Sequence, residues 1–205
     1  MQVRVPVRRW SGGNIGQFGR DGFPPGGGGP LMPTGQLFMW LLIVGVTMLF
    51  AALSSAAIVR IGTDGRMFPL PSIVWANTAV LLASSITLGM VQWRVRRRRF
   101  AESVPTGLLW LTVALGGLFV AGQLSAWREL MAHGLGLARM PAVDFFYVLT
   151  AAHGLHLLGG LIALGALVAV RKRPLVFQRR LAPTALYWHF LTVVWIGLLV
   201  LLVTR

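Results

Sequence analysis

The chain contains no cysteine. That excludes disulfides, thiolate metal centres and cysteine nucleophiles. Charge is also scarce. Only 12% of the residues are Asp, Glu, Lys or Arg, where a soluble domain carries about a quarter. Acids are the rarest of these: Asp21, Asp64, Glu102, Glu129 and Asp144. No apolar run precedes residue 36, so the N-terminus lacks the pattern of a cleavable signal, and the first hydrophobic segment is expected to act as its own targeting signal.

Apolar residues fill what charge leaves open. They make up 56% of the 205 residues, and the mean hydropathy is +0.72. Residues 1–35 stand apart as a polar tail holding Pro24-Pro25-Gly26-Gly27-Gly28-Gly29-Pro30, a run that sustains neither helix nor strand. It lacks the Lys-Ser/Thr and the preceding strand of a phosphate loop. Residues 36–205 read as one transmembrane domain. Five continuous apolar segments lie near 36–59, 72–93, 106–127, 145–170 and 184–204. Each reaches the roughly 20 residues that cross a hydrocarbon core of about 30 Å. They show no period of two, which favours helices over barrel strands. The fold expected is an all-α bundle of five transmembrane helices.

The bases orient this bundle. The net charge of +14 could invite nucleic acid, but the positions of the bases argue against it. The tail (Arg4, Arg8, Arg9, Arg20), the second connection (Arg94, Arg96, Arg97, Arg98, Arg99) and the fourth (Arg171, Lys172, Arg173, Arg179, Arg180) fall on one side and hold 14 of the 19. Arg60, Arg66, Arg128, Arg139 and Arg205 fall on the other. This bias places the N-terminus in the cytoplasm and the C-terminus outside, with the bases among anionic headgroups.

Polar residues inside the segments need partners, because lipid offers none. Asn77, Ser84 and Ser85 share a face of the second helix, where interhelical bonding is the simple role. The third helix carries Gly116, Gly117, Gly122 and Gln123, and the fourth a stripe of Thr150, His153 and Gly160 beside His156. The fifth opens with Tyr187-Trp188-His189 and continues to Thr192 and Trp195 on one face. His153, His156 and His189 are the side chains that could ligate haem or metal or relay protons. No carboxylate shares their depth, and the spacing of His153 and His156 is poor for two separate haems, so structural or headgroup bonding is the better reading. No paired carboxylates, Gly-x-Ser-Gly nucleophile or buried charge for ion transport occurs. The segments read as a scaffold.

Four motifs, in order, resemble cytochrome c oxidase subunit III in its short five-helix bacterial form, over residues 36–204. They are Asn77-Thr78 with Leu81-Leu82 and Ser84-Ser85; Gly116-Gly117 with Phe119 and Gln123; Phe146-Tyr147, Thr150, His153-Gly154-Leu155-His156 and Gly159-Gly160; and Tyr187-Trp188-His189-Phe190 with Trp195. The resemblance implies a non-catalytic accessory subunit of a haem–copper oxidase in the bacterial inner membrane. It would pack on the catalytic subunit I and other subunits, bind phospholipid, and support assembly, stability and proton uptake. It implies no cofactor in this chain, with haem and copper in the partners. Asn77, Gln123, His153, His156, Trp188, His189 and Trp195 become structural or lipid-contact positions. Where the family often carries carboxylates, this chain has Val46, Ala126 and Thr192, which points to assembly and packing over proton chemistry. An accessory subunit of a nitric oxide reductase, a haem-b redox subunit and a small transporter are the alternatives.

Overall fold

The computed structural model describes residues 34–64, 72–97, 105–136 and 140–204. The Gly/Pro-rich tail expected over residues 1–35 lies, up to residue 33, outside the described residues. The described residues form five α-helices: α1 (Thr34–Asp64), α2 (Ile73–Arg97), α3 (Thr106–Ala132), α4 (Pro141–Ala169) and α5 (Pro174–Thr204). All five are long and apolar enough to cross a bilayer. Among the described residues there is no strand.

Local chemistry sets the helix ends. Pro141 opens α4 at its first turn, where the missing N–H costs nothing and the fixed φ suits the helix. Asp144 lies in the same turn and complements the positive end of the helix dipole. After α3 the chain turns through Gly134 at φ 75°, and Leu135 N–H reaches back to Leu130 O at 3.0 Å. That left-handed position admits glycine at little cost and closes the helix. α5 begins at Pro174, ten residues before the start expected near 184. Arg179, Arg180 and Pro183 therefore lie within a helix and not in a connection. The apolar stretch of α5 starts after them, so charge and proline hid its first turns.

The helices pack as a ring with one addition. α2 contacts α3 and α5, α3 contacts α4, and α4 contacts α5. α1 rests against α4 and α5. Side chains of α2 to α5, among them Leu81, Leu88, Leu109, Phe119, Leu157, Leu164, Trp188 and Trp195, make the larger core. A second core joins Val46, Phe50, Ala57 and Ile61 of α1 to Phe146, Leu149 and Leu198. The outward surface is apolar as well: Met48, Leu155 and Ile162 are 69%, 71% and 74% exposed. Lipid accommodates such a surface, whereas water would not.

Close approach of the helices depends on small residues, as expected where lipid supplies no hydrophobic drive between helices. A Cβ on Gly116 would lie 2.7 Å from Trp188 Cη2, and one on Gly160 would lie 3.0 Å from Trp188 Cε3. The Trp188 indole is thus wedged between α3 and α4. A Cβ on Gly122 would overlap Asn77 Oδ1 and lie 2.7 Å from its Cγ, so this glycine makes room for a polar side chain of α2.

Candidate functional site

The polar side chains of the interior form a series of cross-links between helices. α2 and α3 are tied where Asn77 Nδ2 donates to Phe119 O at 3.0 Å and Ser84 Oγ donates to Thr112 O at 3.0 Å. Thr87 and Thr112 share a hydroxyl–hydroxyl bond of 2.8 Å. α2 and α5 meet at Ser85 Oγ and His189 Nδ1, 2.6 Å apart, and again where Trp195 Nε1 donates to Thr78 Oγ1 at 3.0 Å. α3 and α4 are joined by Trp127 Nε1 donating to Thr150 Oγ1 at 3.0 Å. Tyr147 OH donates to Leu135 O at 3.2 Å beyond the end of α3. Tyr187 OH joins α5 to α4 by donating to His156 O at 3.3 Å.

Three of these helices converge on His153. Its ring is fully buried. The Trp195 ring of α5 lies 5.2 Å from it, the Phe119 ring of α3 6.1 Å, and the Phe50 ring of α1 6.2 Å. Phe119 and Trp195 meet edge to face at 4.9 Å, a favoured arrangement for aromatic pairs. Nothing in this aromatic cage bonds the imidazole: both ring nitrogens lack a hydrogen-bond partner among the described residues. The same holds for both amide atoms of Gln123 and for Trp188 Nε1.

The seven residues singled out from the sequence thus have distinct surroundings. Asn77, Gln123, His153, Trp188 and Trp195 are buried, and Phe119, His153 and Trp195 form one cluster. His156 and His189 are half-buried. His156 turns away from His153 toward α1, with Phe50 at 5.6 Å, and its Nδ1 donates to Ala152 O at 2.8 Å. His189 is committed to Ser85 on α2. The three helical histidines do not gather on a common centre, and among the described residues no group of three His, Asp or Glu side chains is placed to hold a metal ion.

Val46, Ala126 and Thr192 are all buried, at 4%, 0% and 5% exposure. Val46 and Ala126 need no polar partner, and Thr192 Oγ1 donates within its own helix to Trp188 O at 3.1 Å. Sequence reading did not single out Phe50, and it held Thr78 and Tyr147 only as members of motifs; their partners lie beyond their own helices, and only the helix packing reveals those pairings.

These features define a multi-pass membrane protein, a helix bundle knit by internal hydrogen bonds and aromatic wedges. Comparison with known proteins makes the class specific. The family model for cytochrome c oxidase subunit III matches residues 36–204, and the chain belongs to that family. It is similar to the cytochrome bo(3) ubiquinol oxidase subunit 3 of Pseudomonas aeruginosa, with 31% identity over 77% of this chain and 78% of the relative. It is 30% identical to cytochrome c oxidase subunit 3 of Thermostichus vulcanus, over 69% of this chain and 68% of the relative. A probable cytochrome c oxidase subunit 3 of Mycobacterium tuberculosis is 36% identical over 59% of this chain and 60% of the relative.

Proposed function

We propose that this chain is the accessory third subunit of a haem–copper terminal oxidase in a bacterial inner membrane. The observation that carries the reading is the extent of the family match, residues 36–204, which takes in nearly all of every helix. The relatives are named as subunits of both ubiquinol and cytochrome c oxidases, so the electron donor is left to the partner subunits.

The chain packs beside the catalytic subunit and helps the complex assemble and endure turnover. The buried positions Gln123, His153 and Trp188 act by packing, and Asn77 and Trp195 by packing and interhelical hydrogen bonds, which supports a structural role over a redox one. Haem and copper belong to the partners. Phospholipid binding fits a groove of about 580 Å³ between α1 and α5, lined by Phe50, Ala51, Ser54, Phe190, Val194 and Gly197 among others. Its apolar walls suit an acyl chain. The basic end of the bundle, with Arg97 stacked 4.4 Å over Trp93, sits at the cytoplasmic headgroups. Any contribution to proton uptake runs through the partner, since Val46, Ala126 and Thr192 cannot hold a proton-exchanging charge.

An affinity tag on this chain tests the proposal. Solubilised in mild detergent, the chain is expected to bring down a haem-bearing catalytic subunit in stoichiometric amount. Recovery of the chain alone from membranes that contain active oxidase would overturn it.

A further inference from the structure

Five buried side-chain atoms lack a hydrogen-bond partner among the described residues: Gln123 Oε1 and Nε2, His153 Nδ1 and Nε2, and Trp188 Nε1. Trp188 stands two turns from Trp195 along α5, at the level of Gly116 and Gly160. The other four atoms belong to one place.

α3 and α4 run antiparallel. One turn beyond Gln123, Trp127 Nε1 bonds Thr150 Oγ1 at 3.0 Å, and Thr150 lies one turn before His153. One turn before Gln123, the Phe119 ring meets the His153 ring at 6.1 Å. Gln123 therefore lies on the side of α3 that faces α4, between the turn that contacts Thr150 and the turn that contacts His153. Gln123 and His153 do not bond each other. Ala126, on the same face of α3 as Gln123, adds only a methyl group and is fully buried. On its other sides His153 is closed in by Phe50 and Trp195.

An amide offers donors and an acceptor, and an imidazole ring offers one of each. Leaving four such atoms unmatched in a bilayer interior is among the most costly arrangements a membrane protein can hold. Internal waters resolve this kind of mismatch, usually through about three hydrogen bonds each. A metal cation would find here one imidazole and one amide oxygen and no carboxylate, a poor set. We propose that Gln123 and His153 form a buried water site, in which ordered water accepts from one side chain, donates to the other and so bridges α3 to α4.

Two measurements on the purified complex test this. In a map that resolves other buried waters, a density peak should lie within hydrogen-bonding reach of both side chains. A thermodynamic cycle on Gln123→Leu, His153→Leu and the double variant should be non-additive. Each single change strands a polar partner, whereas the double change removes both, so the double loss should fall short of the sum by roughly threefold or more in the unfolding equilibrium. Should either variant fail to assemble, the map of the native complex decides alone. A map showing Gln123 and His153 in direct contact, or no density between them, would overturn the proposal, as would additive losses.

Discussion

Glycines and indoles fix the spacing of this bundle, and single substitutions should show it. A methyl group at Gly122 would collide with the Asn77 amide, which cannot turn aside without giving up its bond to Phe119 O. Gly122→Ala should therefore destabilise the subunit by about 1–3 kcal/mol, the usual cost of overpacking. Gly117→Ala, with nothing within 4 Å of the added carbon, should be neutral or slightly stabilising through helix propensity. Denaturation midpoints of the two variants in the purified complex make the comparison. Trp188→Ala removes the wedge between Gly116 and Gly160 and should cost about 3–5 kcal/mol. It and His153→Leu should lower the yield of assembled oxidase while leaving turnover per assembled complex near the parent value. Normal assembly with impaired turnover would speak against a packing role. Much of this was legible in the sequence: Gly116, Gly160, Gln123, His153 and Trp188 stood out as polar, small or aromatic groups inside apolar runs. Their pairings were not legible, because an antiparallel helix register is set by side chains far apart in the chain, as with Thr78 and Trp195.

At the level of helices, lengths followed from the physics of the bilayer, while ends followed from caps and prolines. The five spans were expected from apolar runs of roughly 20 residues. α5 nonetheless extends back to Pro174 and carries Pro183 inside it. A proline there is tolerated because neighbouring helices and local adjustments satisfy the carbonyl it frees. At 31 residues, α5 is roughly 46 Å long, more than the hydrocarbon core needs and long enough for its arginine-bearing first turns to reach headgroups. The pairing of α2 with α5 rests on Ser85–His189 and Thr78–Trp195. Removing one of these through Ser85→Ala should cost only about 0.6 kcal/mol, the average for a hydrogen bond between membrane helices. A loss several times larger would mean that the bond has a role beyond packing. α1 is different: Phe50 and its apolar neighbours seat it on α4 and α5. Its outward face, including Trp40, Met48 and Val59, is exposed and apolar.

The bundle taken together has a basic end and a weakly charged end, and this asymmetry gives a direct test of orientation. Because the chain has no cysteine, single cysteines report without background. Both Lys172 and Arg128 are exposed and lie at opposite ends of α4 and α3. In sealed vesicles, Lys172→Cys should react with an impermeant maleimide from the cytoplasmic face only, and Arg128→Cys from the opposite face only. The reverse pattern would invert the proposed topology. This family member is proposed to support an oxidase without carrying a redox centre itself, since its three transmembrane histidines are committed to packing, to Ser85 or to its own backbone. The visible absorption spectrum of the chain, separated from its partners and refolded in lipid with haem and copper supplied, tests that claim most directly. No Soret band and no retained copper are expected; a Soret band that His153→Leu abolished would contradict a purely structural role for these histidines.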